Sequence, residues 1–304
     1  MYLFAKFKTV QKLSIYILAI LFSFACNTQK SKNVEPGEQT QSGNRPDDKK
    51  LVEKIFYNVP SPLEMAKMAR DAGMIFNPEL MNPIEKKQKY IDQTSQALNL
   101  GVYGADLSYS RIFDQVQRSV NYLSVIRELT ESLQIPQNQG TFAIDRLEQH
   151  IDNRDSLLNI ITEIYGDVDI YLKENNRSLI AVMIISGGWI EGNYLALQSM
   201  DIKNPDPKIQ RRVAEQKLSL KSLIKLVEPH VRPEHQSSEI LHKLQDLNKI
   251  YQEVKVSTSN TRIDTDQDSG KTTINGKTTV QIKKSTLEAI NNAITQLRNK
   301  ITTP

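Results

Sequence analysis

The chain has 304 residues, with 39 Lys and Arg against 35 Asp and Glu, and 39% of it is hydrophobic. That length carries one large core or one domain with a small appendage, and a charge so close to balance leaves no electrostatic footprint for nucleic acid. A single cysteine excludes an internal disulfide.

Residues 1–25 read as a signal peptide. Lys6, Lys8 and Lys12 form a basic start, and Leu13 to Phe24 is an apolar run of about the length a secretory signal needs. Ala25 then precedes Cys26, with Leu21 and Ser23 upstream. This arrangement resembles the signal peptide of a bacterial lipoprotein. The resemblance implies cleavage before Cys26, lipidation of Cys26 with palmitate-type chains, and anchoring to which each buried methylene contributes about 0.8 kcal/mol. The rival reading is a simple N-terminal membrane anchor with an incidental cysteine. Removing the signal takes away three lysines and no acid, which lowers the formal charge from +4 to +1.

Residues 26–50 are rich in Gln, Asn, Ser and Pro, with Val34 the one aliphatic side chain after Cys26. Such a segment buries too little to order itself and reads as a flexible tether. The segment directly after Cys26 lacks the acidic cluster that resembles a surface-export signal in Bacteroidota lipoproteins, and the lipoprotein resemblance then implies a location in the cell envelope at the periplasmic face of the outer membrane.

Residues 51–304 read as a single α-helical domain. Ser61, Pro62 and Glu64 combine an N-cap, a Pro at the first helical position and a capping-box acid; Gly73 ends that helix. Ile84 to Leu98 follows as a second helix with Tyr90, Ile91 and Ala97 inward. Gly101 and Gly104 then read as a cap and a turn, with Asp106 as N-cap of a long helix to about Leu133. Phe142 to Ile151 is a short helix and Asp155 opens another, bearing Leu157, Leu158, Ile161 and Tyr171. After Pro205 and Pro207, Lys208 to Val227 is amphipathic, with Leu218, Leu220 and Leu223 on its apolar face. Glu234 to Val254 follows, and Ser285 to Ile301 closes the chain. Between them, 256–283 is a polar insertion in which Asn275-Gly276 signals a β-hairpin turn. The acidic run 264–270 lacks the Gly and Glu placement of an EF-hand.

The most apolar run after the N-terminus is Ser178 to Met200, which holds the only Trp, Trp189, together with Gly187, Gly188, Gly192 and Glu191. A helix apolar around most of its circumference belongs in a core, and the acid and glycines cut it short of a membrane span. Adjacent glycines mark close approach of another backbone, a kink or a break. The bland reading lets a neighbouring helix approach there, while Glu191 caps a broken helix or pairs with an Arg. The functional reading is a small cavity floored by glycine, with Trp189, Glu191 and Tyr194 as candidate binding residues. Gly101-Val102-Tyr103-Gly104 with Asp106 and Tyr109 echoes that pattern, so Tyr103, Asp106 and Tyr109 join the candidates, and the two stretches are expected to face each other.

Catalytic signatures are absent. His150, His230, His235 and His242 fit no HExxH, and the chain has no GxSxG, P-loop or dinucleotide fingerprint. No metal or other cofactor is expected, and no catalytic residue is assigned. The one acid–base pair that suggests itself is Asp106 with Glu191. The predicted architecture is all-α: about nine helices in a bundle or helical-repeat-like array, with a small hairpin near the C-terminus. Signal, tether and helical body together resemble the uncharacterised helical lipoproteins of Bacteroidota, a resemblance that implies no activity. The expected role is non-enzymatic scaffolding or ligand binding at the envelope, with the membrane, an envelope protein complex or a glycan as partner. The alternative is an envelope glycan hydrolase or lyase using Asp106 and Glu191.

Overall fold

The computed structural model describes residues 73–136, 144–150, 170–233, 237–265 and 272–303, with single positions among 66–71 and 153–163. The chain is all-α with one two-stranded sheet. Its helices are α1 (Gln93–Ile112), α2 (Val116–Ser132), α3 (Ile144–Gln149), α4 (Ser178–Gln198), α5 (Pro207–Val227), α6 (Ser237–Tyr251) and α7 (Lys284–Thr302). Strands β1 (Lys255–Thr265) and β2 (Thr272–Gln281) pair antiparallel between α6 and α7. The helix start expected at Ser61 and the lipidation site expected at Cys26 lie outside the described residues.

Helix α4 is the centre. Sixteen of its residues are buried, because apolar side chains surround its axis and leave no face for water. By length and composition it is apolar enough to cross a membrane, yet 83% of its most apolar window lies buried inside the fold. Protein, in other words, already fills its surroundings. It does not break at Gly187-Gly188.

The reason lies in α1. A Cβ at Gly101 would stand 2.0 Å from the Ile184 carbonyl oxygen, and one at Gly187 would stand 1.9 Å from that of Leu98. Only glycine lets these two backbones touch. The two glycine-bearing stretches therefore face each other, but inside two continuous helices. The expected cap at Gly101, turn at Gly104 and N-cap at Asp106 are all replaced by helix. The cap of α1 is Asp92, whose carboxylate accepts from the Ser95 N–H at 2.9 Å. Farther along both helices Asp106 meets Glu191, so α1 and α4 run parallel.

Three further expectations are corrected. The helix drawn from Ile84 is a 3-10 turn, Ile84–Lys89, and Ile91 is 86% exposed at the junction before the Asp92 cap. The long helix to Leu133 is two helices, separated where Asp114 takes a positive φ of 57°. Leu218 is 61% exposed, while Leu220 and Leu223 on α5 are buried. The start of α5 follows its cap signals: Asp206 accepts from the Lys208 and Ile209 N–H groups, with Pro207 at the first position.

The hairpin exists, but Asn275-Gly276 is not its turn. Asn275 pairs with Arg262 inside the ladder, and the register shifts between Ser259 and Arg262, opposite Gly276. The permissive dipeptide accommodates a bulge within long Thr-rich arms.

Candidate functional site

Helix α1 presents two faces. Gly101 meets α4, while Asn99, Tyr103 and Asp106, at helical spacing, line the other side. Against that side lies a strap, residues 74–90, in which 3-10 turns at Pro78–Leu80 and Ile84–Lys89 alternate with short non-helical stretches. Pro78 and Pro83 keep it from joining α1 as regular helix.

Such a segment packed into a core carries backbone groups with no ladder partner, so side chains must supply them. They do. The Tyr109 hydroxyl accepts from the Asn77 N–H at 3.0 Å, and Asp106 Oδ2 accepts from the Asn82 N–H at 3.1 Å. Tyr103 donates to the Pro83 carbonyl and Tyr122 to the Asn82 carbonyl, each at 2.9 Å. Arg298 Nη2, from α7, donates to the Leu80 carbonyl at 3.2 Å. Asn99 Nδ2 donates to the Ile301 carbonyl at 2.7 Å and Tyr90 to the Thr302 carbonyl, tying the same region to the end of α7.

Glu191 projects from α4 into this network. Arg298 Nε donates to Glu191 Oε2 at 3.0 Å and Nη2 to Oε1 at 3.2 Å, a two-point guanidinium–carboxylate pair. The Tyr194 ring lies 4.7 Å from Arg298 Cζ, close enough for a cation–π contact. Of the alternatives for Glu191, pairing with an Arg is the one realised.

Burial decides the electrostatics. Asp106 and Glu191 are both 0% exposed. Desolvation pushes the Asp106 carboxyl well above the ordinary carboxylate range, and the neighbouring Glu191 charge pushes it further. Burial also lifts Glu191, but Arg298 pulls it back. Of the two, Glu191 is the one paired with a cation, Arg298. Burial likewise raises the hydroxyls of Tyr90, Tyr103 and Tyr122, which keeps them neutral donors.

The structure thus brings Asp106, Glu191, Tyr194 and Tyr103 into one neighbourhood, with Tyr109 at its edge. Trp189 is elsewhere: two residues from Glu191 along a helix, it points away and donates from Nε1 to Gln216 Oε1 on α5 at 3.1 Å. The glycine floor is occupied by the backbone of α1, so the cavity walled jointly by Trp189 and Tyr194 does not form. Chemically, an acid beside a carboxylate has the makings of general acid–base work. Here the Glu191 oxygens are held by Arg298, and one Asp106 oxygen by the strap. Among the described residues no three or more His, Cys, Asp and Glu side chains converge as metal ligands.

Sequence reading missed Arg298, Asn82, Asn99 and Tyr122. Arg298 had a signal: it falls four residues after Ile294 and eight after Ile290, inside the buried stripe of α7, where a charge must find a partner. Asn99 likewise sits on the buried side of α1. Nothing local marks Asn82. Comparison with protein-family models, curated proteins and solved structures finds no match to this chain.

Proposed function

We propose that the chain is a lipid-anchored protein of the cell envelope, attached through Cys26 at the periplasmic face of the outer membrane. Its helical body acts by binding, as a scaffold or ligand receptor, and not by turnover. The observation that carries the non-enzymatic half is the burial of Asp106 and Glu191, the pair best suited to acid–base chemistry, under a strap to which they are bonded. Both carboxyls are closed off from solvent in this arrangement, and the two Glu191 oxygens and one Asp106 oxygen are used to hold the fold. The anchor rests on the signal-like residues 1–25 and the lone cysteine after them.

Labelled palmitate fed to cells making the full chain should appear in the protein and vanish in Cys26→Ala; an unlabelled native chain refutes the anchor. Incubation with envelope glycan should give no cleavage. The glycan hydrolase or lyase reading takes over if cleavage occurs and disappears in Glu191→Gln with helicity intact.

A further inference from the structure

Two carboxyl groups and one guanidinium meet where water is excluded. Arg298 balances one negative charge, and two of its three donor nitrogens, Nε and Nη2, are spent on Glu191 and Leu80. Asp106 has no cation of its own. Its Oδ2 takes the Asn82 N–H, while Oδ1 has no conventional donor, and the carboxyl as a whole lies beside that of Glu191 in hydrogen-bonding contact. Two bare carboxylates in contact repel. A carboxylic acid and a carboxylate in contact form a strong hydrogen bond.

We infer that Asp106 carries a proton on Oδ1 and donates it to Glu191, and that this one proton latches the strap 74–90 onto the helical body. The latch has a defined weak side. Helices α1, α4 and α7 are held by extensive apolar packing and by the glycine-mediated backbone contact of α1 with α4, whereas the strap has only a few buried apolar anchors, Met74, Met81 and Tyr90, and single hydrogen bonds from side chains. When Asp106 loses its proton, the uncompensated charge draws in water, and the strap is the cover that yields first. The groups facing the triad agree in direction. Lys86 and Tyr90 face it from the strap, Tyr103 and Tyr109 from α1, Tyr122 from α2 and Tyr194 from α4. Only Lys86 and Arg298 are cationic, and Lys86 is itself partly desolvated. None offers Asp106 a second salt bridge. A carboxyl raised in the folded state stabilises the fold fully below its unfolded pKa, and that contribution is lost as pH rises toward the folded value. The strap therefore loosens as pH rises above the ordinary carboxylate range.

The test is made on the full chain. Infrared spectra at about neutral pH should show the carbonyl stretch of a protonated, buried carboxyl, absent from Asp106→Asn. Glu191→Gln should abolish it too, because Asp106 then ionises against Arg298. Hydrogen exchange of the Asn77 and Asn82 amides, taken relative to α4 amides, should accelerate by up to about tenfold per pH unit as pH rises from the ordinary carboxylate range toward the folded value of Asp106. Asp106→Asn should flatten that dependence. The inference is overturned if the native chain lacks the carbonyl band, or if strap opening relative to α4 does not change with pH. Should either variant fail to fold, the native spectrum and the native pH series still decide.

Discussion

The two faces of α1 solve the same problem by opposite means. On one, Gly101 and Gly187 remove every side-chain atom so that two helices touch backbone to backbone; nothing polar is needed because both backbones are internally bonded. On the other, the strap has no internal ladder, and side chains from α1, α2 and α7 satisfy its amides and carbonyls one at a time. The first face tolerates no added atom. The second tolerates added atoms better than lost ones.

The comparison can be broken hardest at the glycines. Gly187→Ala places a Cβ against the Leu98 carbonyl with no flexible neighbour to move, and should cost about 4 kcal/mol or more, enough to abolish cooperative unfolding in denaturant titrations. Glu191→Ala comes next: it leaves Arg298 buried without its partner, which should cost roughly 3–5 kcal/mol. A double variant with Arg298→Met should recover much of that loss, read as the midpoint of urea unfolding. Removing single strap donors is milder. Tyr122→Phe should cost about 1 kcal/mol and raise strap exchange without touching α4; equal acceleration in both would mean that the strap and the helices open together. The smallest effect concerns Trp189. Its emission should be blue-shifted and unchanged by envelope glycan fragments, since its Nε1 is spent on Gln216; a saturable shift would return Trp189 to the list of binding residues.

Much of this was legible in the chain before folding. The apolar run around Met183 announced a central helix, and its glycines announced a close backbone. The pairing of Gly187 with the Gly101 stretch was visible as an echo of composition. What sequence could not supply was continuity. Glycine is usual at both caps and contacts, so Gly101 and Gly104 looked like a junction when they are interior to α1. Nor could it reveal the strap, because Asn82 and Pro83 follow no periodicity and their partners come from helices far along the chain. The candidates Tyr103, Asp106 and Tyr109 are polar groups on a buried helix, and each of them bonds the backbone of the strap.

The contacts that cap α7 have a consequence for biosynthesis. Asn99 and Tyr90 reach the carbonyls of Ile301 and Thr302 across separations of 202 and 212 residues. Ile301 and Thr302 are translated long after Tyr90 and Asn99, so the earlier segment waits for these partners while the intervening chain is made. Closure at such sequence distance is slow relative to local helix formation, so this contact completes the fold rather than nucleating it.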